Sequence, residues 1–153
     1  VPVTTADDFN MWNKDENMHI AEISDFIVMH AHPLWGGLQI DNAVDWVKKI
    51  YYEIQNSYPN KMIVIGETGW ATQKHDAGMQ AKLIKGKAGE TEQKMFINEF
   101  TEWADSEGIA YFLFEVFDEK WKGGEHPNEV EKHWGLFYSD RSPKESMRMI
   151  DNK

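Results

Sequence analysis

Carboxylates that follow apolar runs are the residues of this chain best placed to do chemistry. Glu67 ends the stretch Met62-Ile63-Val64-Ile65-Gly66-Glu67-Thr68-Gly69-Trp70, and Glu115, Asp118 and Glu119 follow the apolar run at 109–114. In a parallel α/β protein the strand C-termini converge on one face, where ligands and catalytic groups gather. Two carboxyl groups flanking one glycosidic bond suffice for hydrolysis, one as acid/base and one as base or nucleophile. Retaining enzymes hold them about 5–5.5 Å apart. An acidic protein also places solvated charges at strand ends by chance, so other signals must decide.

Aromatic residues share those positions. Trp35, Trp70, Trp121 and Trp134 each lie in or beside a loop that follows an apolar run. Indole rings pack on the C–H faces of sugars and their N–H binds a hydroxyl. Trp46 and Trp103 fall on helical faces and suit a core. His30 and His32 share one face of a strand by its two-residue alternation. With a carboxylate they could hold a metal, but no third ligand follows at tight spacing and no His-Glu-x-x-His occurs. The expected role is a hydrogen bond to substrate or to a carboxylate, and no metal or other cofactor is expected. Serine catalysis lacks its Gly-x-Ser-x-Gly elbow.

The elements that must position these residues alternate. Apolar runs at 1–6, 26–29, 62–65 and 109–114 read as strands. Between them, a loose amphipathic stretch covers 7–23. A firm helical pattern covers 40–54, with Asp41 as the expected N-cap. Phe96, Ile97, Phe100, Trp103 and Ala104 mark a second firm helix, ended by Gly108. The polar segment 71–89 reads as a long binding loop. Ser142-Pro143-Lys144-Glu145 resembles a capping box, opening a short helix through Met147 and Ile150. The predicted order β-α-β-α-β-α-β-α implies a parallel sheet with right-handed crossovers. Four such units make half of an eight-stranded barrel; a doubly wound sheet is the alternative, without any Gly-rich phosphate loop to support it.

Composition bounds the rest. The 153 residues are 41% hydrophobic and 13% aromatic, which excludes a disordered class, and the formal charge is −10. That charge argues against a nucleic-acid partner. No apolar run approaches the roughly 20 residues of a membrane span. Cysteine is absent, so disulfide and thiol chemistry are excluded. The chain opens at Val1 without a signal peptide or an initiator Met, so the expectation is a mature or excised piece, read throughout (1–153) as one unit.

The blocks Ile65-Gly66-Glu67-Thr68-Gly69-Trp70, Tyr111-Phe112-Leu113-Phe114-Glu115-Val116-Phe117-Asp118-Glu119-Lys120-Trp121-Lys122 and Val130-Glu131-Lys132-His133-Trp134-Gly135-Leu136-Phe137 occur in that order. With Val3-Thr4-Thr5-Ala6 and His32-Pro33-Leu34-Trp35, they make the chain resemble the C-terminal half of a glycoside hydrolase family 17 barrel, the β-1,3-glucanase and glucanosyltransferase family. The resemblance implies strands five to eight of a (β/α)8 barrel and retaining hydrolysis of laminarin-type β-1,3-glucan. Glu67 would be the nucleophile, with Glu119 and Lys122 supporting the site. His32, Trp35, Trp70, Glu115, Asp118, Trp121 and Trp134 would bind substrate. Asp118 stands where some members have Asn. The family's acid/base, a Glu after Asn at the end of strand four, has no counterpart: Asn98-Glu99 and Asn128-Glu129 follow no apolar strand. The expected partners are therefore a β-glucan and an N-terminal half barrel, or a second copy of the chain, in a secreted or periplasmic setting. A non-catalytic glucan-binding half barrel, a transglycosylase and a metal-dependent hydrolase using His30 and His32 are the alternatives.

Overall fold

The computed structural model describes residues 1–148. Strands β1 (Ala6–Asp8), β2 (Ile27–His30), β3 (Ile63–Thr68) and β4 (Ala110–Leu113) form one sheet. All three pairings are parallel, and the strands lie side by side in sequence order. An order that never reverses has no topological switch point. It is the winding of a barrel, four strands long, so the α/β half-barrel expectation holds and the doubly wound alternative falls.

The helices are α1 (Phe9–Trp12), α2 (Met18–Ile23), α3 (Ala43–Ser57), α4 (Gly78–Leu83) and α5 (Glu90–Glu107). Along α3, Val44, Val47, Ile50, Tyr51 and Ile54 recur at helical spacing, and all are buried. Phe96, Ile97, Phe100, Trp103 and Ala104 do the same for α5. Gly108 ends α5 in the left-handed conformation, φ 66°, where a residue without Cβ is favoured. In β2 the buried Ile27 and Met29 alternate with the half-buried Val28 and His30. One face of the sheet therefore packs on the helices, while the other is left to the barrel interior.

Five local expectations are corrected. The first strand begins at Ala6 rather than at residue 1, and 7–23 breaks into the end of β1, α1, a 3-10 turn (Asp15–Asn17) and α2. Asp8 starts α1, its carboxylate accepting from the Asn10 N–H at 2.9 Å. Asp41 lies inside a 3-10 turn and does not cap α3. The segment 71–89 contains α4 because its Gln80 and Ile84 are buried. Pro143 pairs with Phe137 in an antiparallel bridge instead of opening a helix, and Ile150 lies outside the described residues.

Gly69 fixes how β3 and β4 leave the sheet. A β-carbon there would lie 2.0 Å from the Phe114 carbonyl oxygen. The exits of β3 and β4 thus touch backbone to backbone, which only glycine permits.

Candidate active site

Glu67 owes its direction to a bulge. Met29 pairs with Ile65 but His30 pairs with Glu67, so Gly66 is an extra residue opposite β2. The β4 side agrees: Ile65 pairs with Tyr111, yet Thr68 pairs with Leu113. Bulges re-aim the side chain that follows them. Glycine is required at the bulge because a β-carbon would meet Val28 Cγ1 at 2.3 Å. The shift sets Glu67 beside His30 and His32, and the Ala31 N–H binds the Glu67 carbonyl at 2.8 Å.

Both imidazoles address one carboxylate oxygen. His32 Nε2 lies 3.1 Å from Glu67 Oε2 and His30 Nδ1 lies 3.5 Å from it. His32 is itself held edge-on between Phe114 and Trp134, at centroid distances of 5.4 and 5.2 Å. The hydrogen bond from His32 lowers the Glu67 pKa below the ordinary glutamate value; partial burial opposes it, and the charges of His30, His32 and Lys122 add to it. A depressed folded-state pKa favours the ionised form. Its stabilising contribution is present above the unfolded value and is lost as pH falls through the folded one. The acid limb of any Glu67-dependent rate should therefore fall below pH 4.5, the ordinary value. In His32→Ala the limb should move up toward that value, read from a pH–rate profile.

At the exit of β4, Lys122 bridges two carboxylates, with Nζ 2.5 Å from Glu115 Oε2 and 2.7 Å from Glu119 Oε2. Burial pushes the Glu115 carboxyl up against the pull of Lys122. The hydrogen bond from Lys122 holds the Glu119 carboxyl down. For Lys122 itself, burial acts to lower the pKa, and the two carboxylates outweigh it to leave a net rise. The ammonium also sits over the Phe114 ring, 4.7 Å from its centroid.

The remaining expected site residues separate. Trp121 is 76% exposed beside Lys122. Trp35, half-buried, forms part of a cleft of about 280 Å³ with His32, Asp8, Phe9 and Asn10. Three expectations are corrected by burial. Trp70 has no exposed surface and its indole N–H binds the Lys87 carbonyl at 3.0 Å, so it is core. Trp134 is 1% exposed and supports His32 from behind rather than meeting a sugar. Asp118 is buried, accepting from Lys144 Nζ at 2.7 Å and from the Gly135 N–H at 3.0 Å. Its burial in an ion pair leaves it no face for substrate.

Sequence reading passed over three residues. Lys144, fully buried, donates to Asp118 and to Thr72 Oγ1 at 2.8 Å. Gln93 donates to the carbonyls of Trp70, Trp134 and Gly135. Glu131 accepts from Trp35 Nε1 at 3.1 Å. Each lies on a helix or a loop far in sequence from its partner; Glu131 stands in the block 130–137 and Lys144 in the capping-box motif, but neither pattern identifies the partner. Among the described residues no group of three His, Cys, Asp or Glu is arranged to hold a metal ion. None of the described helices is long and apolar enough to cross a membrane.

The chain and its fold are similar to known proteins. A putative glucan endo-1,3-beta-glucosidase, btgC of Aspergillus niger, is 32% identical over 161 residues, covering 99% of this chain and 23% of its own length. The crystal structure of a glycoside hydrolase family 17 beta-1,3-glucanosyltransferase from Rhizomucor miehei superposes with a TM-score of 0.78 at 27% identity, covering 95% of this chain and 49% of that one. An active-site mutant of the same enzyme is in complex with laminaritriose. An endo-laminarinase from Formosa Hel1_33_131 superposes with a TM-score of 0.76 at 26% identity, covering 99% of this chain and 47% of that one. The chain thus spans about a quarter of the fungal relative and about half of each enzyme of known structure. The model of the BtgE/BtgC glycoside hydrolase domain matches residues 1–135, and the chain belongs to that family, folded as part of a family 17 barrel.

Proposed function

We propose that this chain acts as one unit, the nucleophile-bearing C-terminal half of a barrel that hydrolyses β-1,3-glucan with retention. The observation that carries the reading is Glu67, turned by a bulge onto His30 and His32 and held ionised at the end of β3. An ionised, positioned carboxylate is what attack on an anomeric carbon requires. The relatives named for β-1,3-glucan support the substrate class.

The chemistry follows in two steps. Glu67 oxygen forms a bond to the anomeric carbon as the glycosidic C–O bond breaks, and a general acid protonates the leaving oxygen. The conjugate base then removes a proton from water, whose oxygen attacks the same carbon and releases Glu67. Glu115 and Glu119 do not fit the acid, because both are bound to Lys122. They serve instead to fix that ammonium beside the mouth. The acid/base is assigned to the N-terminal half of the barrel, on a separate segment or chain. The sheet edges at β1 and β4, and Phe112, 67% exposed, suit closure by that half better than by water. A secreted or periplasmic setting fits a polymer too large to enter a cell.

Mixing the chain with a polypeptide that carries strands one to four tests the reading. Light scattering should show a one-to-one complex, and reducing sugar should be released from laminarin only by the complex. A complex that binds laminarin and releases none would favour the non-catalytic glucan-binding reading.

A further inference from the structure

Glu131 has no role in the chemistry above, yet its carboxylate reaches from the loop after β4 to the indole of Trp35 on the loop after β2. The contact is 3.1 Å from Trp35 Nε1 to Glu131 Oε1, across 96 residues of sequence. Trp35 is half-buried and forms a wall of the cleft that also takes in His32, the histidine on Glu67. Glu131 Oε2 has no hydrogen-bond partner among the described residues and is not sealed from solvent.

The loop that presents Glu131 is built to hold it still. Glu131 sits in a 3-10 turn, Val130–Lys132, whose Val130 is fully buried. The side chain of buried Gln80, on α4, accepts from the Val130 N–H at 3.3 Å and donates to Glu129 Oε2 at 2.7 Å. His75 Nε2 lies 3.0 Å from the same Glu129 oxygen. The loops after β2, β3 and β4 are thereby joined over one side of the mouth by side-chain bonds. A loop fastened this way can hold an aromatic ring at one tilt.

An indole whose N–H is already taken by a carboxylate offers a sugar its face and not its donor. The carboxylate then becomes the polar group at the edge of the platform. We propose that Glu131 is the positioning and specificity residue of a glucosyl-binding platform on Trp35: one oxygen fixes the ring, the other accepts a sugar hydroxyl. This inference rests on the glucanase reading. Its ligand is a β-1,3-linked glucosyl unit outside the cleaved bond, so it should govern affinity rather than the chemical step.

The test uses the complete barrel and laminari-oligosaccharides. Glu131→Ala should raise KM about 5–10-fold, the cost of one lost hydrogen bond and one orphaned donor, with kcat within about twofold. Glu131→Gln keeps an acceptor for the indole and should raise KM by less than about threefold. Trp35→Phe combined with Glu131→Ala should weaken binding much less than the product of the two single effects, since they share one contact. The Trp35 indole N–H resonance should shift in Glu131→Ala and not in a variant remote from the loop. Unchanged KM in Glu131→Ala, or losses that multiply, would overturn the inference while leaving the glucanase reading intact. Failure of the unaltered barrel to bind or cleave the oligosaccharides would overturn both.

Discussion

Glu67→Gln should reduce laminarin hydrolysis by the complete barrel on the order of 10⁴-fold or more, the scale of removing a catalytic nucleophile. The amide keeps the shape and one acceptor oxygen for His32 but cannot form the glycosyl ester. Binding of laminari-oligosaccharides should change little, because the ring platforms and the His32–Phe114–Trp134 packing stay in place. Steady-state rates together with calorimetric binding separate the two effects. A loss of binding as large as the loss of rate would show that Glu67 organises the cleft instead of attacking the sugar. Lys122 contributes charge near the same carboxylate, so Lys122→Met should slow the reaction far less than Glu67→Gln does.

The largest effect on stability should come from a residue outside the mouth. Lys144 is fully buried and ties together Thr72, after β3, and Asp118, after β4. Burial pulls the Lys144 pKa below its ordinary value against the opposing pull of Asp118. At Lys144 itself, desolvation of the ammonium therefore outweighs the attraction of Asp118. Lys144→Met should nonetheless destabilise the protein by about 3–5 kcal/mol, because it leaves the Asp118 carboxylate buried without its cation. Adding Asp118→Asn, which keeps an acceptor for the Gly135 N–H, should recover most of that loss, since neutral pairs of similar volume often match a buried ion pair. Denaturant midpoints at constant slope measure both steps. An equal loss in the single and double variants would mean that shape, not charge, fixes the segment.

Much of the fold was legible because strong periodicities survive in short windows. The runs around Ile63-Val64-Ile65 and the stripes of α3 and α5 are dictated by burial, and burial is what the structure shows. The first strand slipped by several residues because Val1 and Val3, though β-prone, are exposed, and pairing with β2 decides where β1 lies. Helix α4 escaped notice because its anchor is polar: Gln80 is buried for its hydrogen bonds. In the site, Glu67, His32, Glu115, Glu119 and Lys122 were legible from strand ends and motif blocks, and the structure brings them together in two clusters. Trp70, Trp134 and Asp118 stand in the same blocks yet are buried. A motif gives residue type and order but not which face of a loop each side chain takes. Partners such as Lys144 for Asp118 and Glu131 for Trp35 meet only in three dimensions, 26 and 96 residues apart.

The central claim, that Glu67 is the covalent nucleophile, is most directly tested by trapping. A 2-deoxy-2-fluoro laminaribioside with a good leaving group slows release of the glycosyl-enzyme more than its formation. Incubated with the complete barrel and digested, it should add one disaccharide mass to the peptide containing Glu67, and none in Glu67→Gln. Label on Glu115, Glu119 or a residue of the N-terminal half, with Glu67 unmodified, would contradict the account.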